Sequence, residues 1–280
     1  MLPVYFISHG GPTFADKGHA GSEVGAWDTV HKLGPQIVSS KPDYVICISA
    51  HWDTHSNVLV SSNEGENPLV YDFYNFPRKY YETKFHTLGS PAFAKEIVKT
   101  LQNKGIPAAV ESRGLDHGVW TPLRVAFGNP DVQDTKRLDL EIPLIQVSLP
   151  ASPKILDSYR LGEALYDLRA KNVAIICSGM SVHNLQDMPR AMGSGSSEPL
   201  PYVKPFNSWL TNTLTQGGGL SDLQKLETDP QLNKLYRAAH PTPEHFLPLA
   251  VALGAARKGK CEVLHTAATY SLGWNIYKFI

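Results

Sequence analysis

The sequence predicts an α/β fold, a central, largely parallel but mixed sheet flanked by helices. Three observations predict it. Short β-branched runs recur at Val4 to Ile7, Tyr44 to Ile48, Val58 to Val60, Ile142 to Val147, Val173 to Cys177 and Cys261 to Leu264. These runs are almost continuously apolar, the pattern of strands covered on both faces. The segments between them carry apolar residues at helical spacing, and strand–helix alternation favours a parallel sheet.

Each element has its own signal. The first strand starts at Val4, with no basic stretch, long apolar run or small-residue cleavage site ahead of it, so no signal peptide is expected. Trp27, Val30, Leu33 and Ile37 then recur at i, i+3/i+4 spacing, as do Phe93, Ile97 and Leu101, which Gly105-Ile106-Pro107 terminates. Ile155, Tyr159, Leu161, Leu165 and Leu168 make a third helix. Residues 190–205 are rich in Gly, Ser and Pro and read as a mobile surface loop. Gly193-Ser194-Gly195 within it follows no strand and lacks a third glycine, so it does not read as a phosphate loop. Gly217-Gly218-Gly219 reads as the end of a helix around Phe206 to Leu214. No internal repeat is visible, and residues 1–280 read as a single domain.

Composition narrows the function classes. The 26 Lys+Arg balance 26 Asp+Glu, so no broad phosphate-binding surface and no nucleic-acid partner is expected. The apolar runs fall far short of the roughly 20 residues that span a bilayer, so no membrane partner is expected. Cys47, Cys177 and Cys261 are scattered, lie in or beside strand-like runs and form no C-x-x-C. They read as reduced core cysteines of a cytoplasmic protein. The eleven His are the chemically notable part of the inventory.

Their placement points to one edge of the sheet. His9 directly follows the strand at Val4 to Ile7, His51 the strand at Tyr44 to Ile48, and His183 lies six residues past Cys177. Ligands of open α/β sheets bind just outside the carboxyl ends of the strands, so these three converge by topology. His240 precedes a helix expected to start at Thr242-Pro243-Glu244, with Thr242 as the cap and Pro243 in the first turn. His117 precedes a helix expected near Thr121-Pro122. His245, on the helix after His240, reads as packed or surface-exposed. Imidazole clusters suit Zn, Cu, Fe and Ni. There is no H-E-x-x-H, and ligands from distant segments suit a catalytic metal with open positions better than a structural zinc knot. One or two His would remain for proton transfer.

Six blocks in order carry a resemblance: Ser8-His9-Gly10-Gly11-Pro12-Thr13, Ser49-Ala50-His51-Trp52, Asp72-Phe73-Tyr74-Asn75-Phe76-Pro77, Leu115-Asp116-His117-Gly118-Val119-Trp120, Ser178 to Leu185, and His240-Pro241-Thr242-Pro243-Glu244-His245. Together they resemble the class III extradiol ring-cleavage dioxygenases, in the 4,5-DOPA dioxygenase extradiol branch of the LigB superfamily. The resemblance implies a non-haem Fe(II) enzyme that opens a DOPA-like catechol with O₂, and an α/β fold with the metal at the sheet edge. It implies His9 and His51 as metal ligands. Relatives complete the set with a Glu; the matching region here offers His240 and Glu244, and His240 is the expected third ligand. An all-His set suits Zn²⁺ as well as Fe²⁺. His183 resembles the catalytic acid/base, and in a zinc-filled form a fourth ligand. His117 would hydrogen-bond dioxygen or a ring hydroxyl. Trp52, Tyr74, Trp120 and Phe76 are candidate walls for the ring. Two alternatives stand beside this reading: a zinc-dependent hydrolase on the same His set, and a non-catalytic LigB-like scaffold, against which the presence of His183 and His117 argues. No oligomeric state is implied.

Overall fold

The structure is a computed structural model, and it describes residues 1–19, 22–128, 137–193, 195–257 and 259–280. The strands are β1 (Val4–Ser8), β2 (Tyr44–Ser49), β3 (Val58–Ser61), β4 (Ala108–Glu111), β5 (Leu144–Val147), β6 (Val173–Gly179), β7 (Val182–His183), β8 (Cys261–His265), β9 (Ala268–Thr269), β10 (Leu272–Gly273) and β11 (Ile276–Phe279). The helices are α1 (Val24–Ser39), α2 (Arg78–Tyr81), α3 (Pro91–Asn103), α4 (His117–Phe127), α5 (Ile155–Leu165), α6 (Met188–Gly193), α7 (Val203–Thr215), α8 (Leu220–Thr228), α9 (Pro230–Ala239) and α10 (Leu247–Ala256).

An eight-stranded sheet runs in the order β4-β3-β5-β2-β6-β1-β11-β8. The strands β5, β2, β6 and β1 are parallel neighbours. The antiparallel pairings of β3 with β5 and of β11 with β1 and β8 make the sheet mixed. A small sheet, β7-β10-β9, lies beside it.

The strand period of two sorts the core into two layers. Val4, Phe6, Ile46, Ile48, Ile175 and Cys177 pack into one cluster with α3, α5, α7 and α10. The alternate residues Tyr5, Ile7, Val45, Cys47, Ala174 and Ile176 pack into the other with α1 and α4. This explains the continuous apolar character of the central strands, since each side chain meets a helix layer whichever way it points. Helix α10 is apolar on every side and buried along its whole length between α5 and the sheet. Its backbone touches that of α5: a Cβ at Gly254 would lie 2.1 Å from the Tyr159 carbonyl oxygen, and one at Gly162 2.1 Å from that of Val251.

Three boundary expectations are corrected. The helix expected near Thr121-Pro122 starts at His117, with Pro122 inside it. The helix expected to begin at Thr242-Pro243 begins at Leu247; residues 241–246 form turns, with Phe246 N–H donating to the Pro243 carbonyl. Thr242 donates its hydroxyl to Glu244 instead of capping. The stretch read as a surface loop at 190–205 starts within α6 and ends within α7; Ser194, the middle of the rejected phosphate loop, lies outside the described residues. All three cysteines are buried thiols. Among the described residues no helix is long and apolar enough to cross a membrane.

Candidate metal centre

The site forms where β1, β6 and β2 end side by side. Strand parity decides which side chains meet there. His9 continues the alternation of Tyr5 and Ile7, His51 that of Val45 and Cys47, and Ser178 that of Ala174 and Ile176, so all three share the face covered by α4. The extended backbone carries His9 one residue past β1, with its N–H on the Gly179 carbonyl at 2.9 Å. A further imidazole arrives from the turn before α10. The Met180 N–H donates to the His245 carbonyl at 2.9 Å, which ties that turn to the end of β6.

His9, His51 and His245 bring one ring nitrogen each within 4.8 Å of one another. His51 Nε2 lies 3.1 Å from His9 Nε2 and 3.2 Å from His245 Nε2. The opposite ring nitrogens of His9 and His245 have partners outside the group. His245 Nδ1 lies 3.1 Å from Glu244 Oε1, which as a carboxylate accepts, so the Nδ1 carries the proton. His9 Nδ1 lies 2.9 Å from Ser178 Oγ. The Ser178 hydroxyl donates its only proton to the Gly118 carbonyl at 2.5 Å, so it accepts from His9. His9 and His245 therefore turn Nε2 lone pairs inward.

Burial and the neighbouring imidazoles push His9 and His245 well below the ordinary imidazole value. Burial takes His51 down to about 4 and His183 to about 3. These rings are neutral at pH 7, as metal ligation requires. The lone pairs of His9 and His245 both face His51 Nε2, which holds at most one proton to share between them. A divalent cation that favours neutral imidazole fits this donor set.

Carboxylates flank the group. Asp72 Oδ1 accepts from both the backbone N–H and Nδ1 of His117, each at 2.9 Å, and Oδ2 lies 3.6 Å from His51 Nδ1. Burial opposes ionisation of Asp72, but the hydrogen bonds from His117 outweigh it and hold the carboxyl below its usual value. On the other side, His183 stacks on His245 with ring centroids 3.5 Å apart and planes 14° apart, and groups with Glu244. His117 stands 4.0 Å from His51 between ring centroids, and Phe73 meets it edge-on.

The structure thus gathers His9, His51, His117 and His183. It does not add His240 to the His9–His51 group; His245 stands there instead. His240 is fully buried against Phe206, Tyr236 and Phe246, with Nε2 on the Ser181 carbonyl at 2.9 Å. Residues 241–246 turn rather than begin a helix, and this turn brings His245, not His240, beside His9 and His51. Glu244 accepts from His245, rather than facing the His9–His51 pair. Of the candidate ring walls, Trp120 is buried with its indole N–H on the Val70 carbonyl, and Trp52 is buried under the Arg113 guanidinium. Tyr74 is 83% exposed. Phe76 packs edge-on against Phe73, and its ring end lies near Gly11 in the loop after His9. Asp72 and Ser178 sit in two of the six sequence blocks, but nothing in the sequence alone gave them a role.

The comparisons agree with this fold. Residues 3–279 match the model of the catalytic LigB subunit of aromatic ring-opening dioxygenases. A Beta vulgaris protein named 4,5-DOPA dioxygenase extradiol is 34% identical, covering 98% of this chain and 95% of its own. A Schizosaccharomyces pombe 4,5-DOPA dioxygenase extradiol-like protein is 33% identical over 94% of this chain and 88% of its own. The crystal structure of an uncharacterized Escherichia coli K12 protein superposes with a TM-score of 0.74 at 27% identity, covering all of both chains. Fold and family match define a ring-opening dioxygenase scaffold, with imidazoles gathered at the sheet edge. The chain belongs to the LigB family.

Proposed function

We propose that residues 1–280 form one catalytic domain, a metal-dependent extradiol dioxygenase that opens the ring of a DOPA-like catechol with O₂. His9, His51 and His245 would hold the metal. The observation that carries this reading is the convergence of three Nε2 atoms at 3.1 and 3.2 Å, with the Nδ1 protons of His9 and His245 committed outward. A divalent metal there supplies Lewis acidity toward the catechol hydroxyls and, as Fe(II), a path for electrons from the ring to O₂.

The chain's own residues do the rest. His183, stacked against His245, is the candidate to accept a proton from a catechol hydroxyl and return it later. His117 donates Nδ1–H to Asp72, which leaves its Nε2 as an acceptor. Phe73, edge-on to His117, offers the ring an apolar wall. Holding catechol and proton carriers in one pocket replaces chance encounters with a fixed geometry.

The test is direct. Chain loaded anaerobically with Fe(II) is mixed with DOPA and O₂, and absorbance and O₂ are followed. The expected result is a yellow ring-opened product with stoichiometric O₂ uptake. Absence of uptake with any catechol by the Fe(II)-loaded chain overturns the reading.

A further inference from the structure

Proline is costly inside a helix, yet Pro122 sits at the sixth position of α4. In a regular helix the N–H of residue 122 would donate to the carbonyl of residue 118. Proline has no N–H, and its ring pushes the carbonyl four residues back off the helix axis. That carbonyl belongs to Gly118, and it receives the Ser178 hydroxyl at 2.5 Å. The rest follows from counting protons. A serine hydroxyl holds one, and Ser178 has given it to Gly118. Toward His9 Nδ1, 2.9 Å away, it can only accept. His9 must then be the Nδ1–H tautomer, with its Nε2 lone pair facing His51.

We propose that Pro122 is a positioning residue. By freeing and tilting the Gly118 carbonyl it fixes the direction of the Ser178 hydroxyl, and through it the tautomer in which His9 meets the metal. The relay Pro122–Gly118–Ser178–His9 joins a helix-breaking residue to a ligand on another element. It rests on the reading of His9, His51 and His245 as metal ligands, but the tautomer itself can be observed without metal. With alanine at 122, an N–H would share the Gly118 carbonyl and draw it back toward the helix axis, away from Ser178. The Ser178 proton could then turn toward His9 Nδ1, and His9 would present Nε2–H to the pocket. The substitution thus improves the helix and spoils the site, whereas a purely structural proline would leave the site unchanged.

The experiment uses the full-length chain, labelled with ¹⁵N-histidine, as wild type, Pro122→Ala, Ser178→Ala and the double variant. Two quantities are read: the His9 tautomer in metal-free protein from long-range ¹H–¹⁵N correlations, and zinc affinity by chelator competition. His9→Gln assigns the signal, and circular dichroism identifies any variant that fails to fold. Wild type is expected to show only the Nδ1–H tautomer. Each single variant should populate Nε2–H and weaken zinc binding by about tenfold or more, the usual effect of losing the partner that orients a metal-bound histidine. The double variant should be no worse than Ser178→Ala, because Pro122 acts only through Ser178. The proposal is overturned if Pro122→Ala keeps His9 as Nδ1–H with zinc affinity within about twofold of wild type, or if the two losses add. If wild type binds no metal while the tautomers behave as stated, the metal reading fails and the relay stands.

Discussion

A histidine ring can offer a lone pair in only one direction once its single neutral-state proton is committed. For His245 that commitment is to Glu244, and for His240 Nε2 meets the Ser181 carbonyl, while the buried Nδ1 has no partner among the described residues. The two residues should therefore fail differently. His245→Ala should lose the bound metal, read by elemental analysis after gel filtration. His240→Gln should keep one equivalent of metal and unfold at lower urea, by about 1–3 kcal/mol for a disturbed buried polar contact. Metal loss in His240→Gln with metal retained in His245→Ala would reverse the assignment. His183 stacks on His245 without joining the His9–His51 group, so His183→Ala should retain metal while turnover falls by about a hundredfold or more. Loss of metal in that variant would make His183 a ligand first.

At the scale of the element, α4 is the part that fits most closely against the site. Its first residue is His117, and its second, Gly118, leaves no room for a side chain. A Cβ there would lie 2.4 Å from Ser49 Oγ, 2.8 Å from His51 Cδ2 and 3.2 Å from His9 Cε1. Two of those atoms belong to candidate ligands, so the intrusion must displace α4 or the rings. Gly118→Ala should cost about 1–3 kcal/mol in urea unfolding and weaken zinc binding as well. Unchanged zinc affinity would mean that the helix yields and the ligands do not. The α4 start is also where the sequence reading slipped. Thr121-Pro122 looks like a helix opening because proline suits a first turn, yet the helix has already run one turn when Pro122 is reached. The shift moves His117 from a loop onto the helix and brings Gly118 into contact with the site. At the segment of His240 and His245 the difference ran the opposite way, with turns at 241–246 where a helix was expected.

For the whole molecule, the buried imidazoles make acid stability the informative measurement. Burial holds His51 at about 4, His183 at about 3 and His240 at about 4, against an ordinary value of 6.5 that returns on unfolding. Between pH 6.5 and about 4 the unfolded chain therefore takes up protons that the native chain refuses, and stability falls as the pH falls. Each such group removes up to about 1.4 kcal/mol per pH unit, so three together threaten a native stability of about 5–15 kcal/mol. Metal-free chain should lose urea resistance steeply from pH 6.5 to 4.5 and little from 8 to 7. Bound metal should raise stability by a similar amount from pH 7 down to about 5, since the native ligands need no deprotonation over that range, and lose this effect as the pH approaches about 4. A flat profile from pH 6.5 to 4.5 would mean that these rings are not neutral in the native state.

The sequence by itself determined the α/β class, the central strands and the edge at which the site lies. The physical reason is that continuous apolar runs, helical spacing and the positions of His9, His51 and His183 after strands are local in the chain. Six short blocks in order were enough to identify the family, because metal and proton chemistry tolerates few residue types. Which of two histidines five residues apart turns toward His9 and His51 was decided only by tertiary structure. The choice depends on the tie between the His245 carbonyl and Met180, on the Glu244 carboxylate and on the aromatic cage around His240, all made with distant segments or by an irregular turn. The same holds for Asp72 and Ser178, whose parts depend on hydrogen bonds spanning 45 and 169 residues of sequence. Periodicity can place a side chain on a face, but only packing fixes which way its proton points.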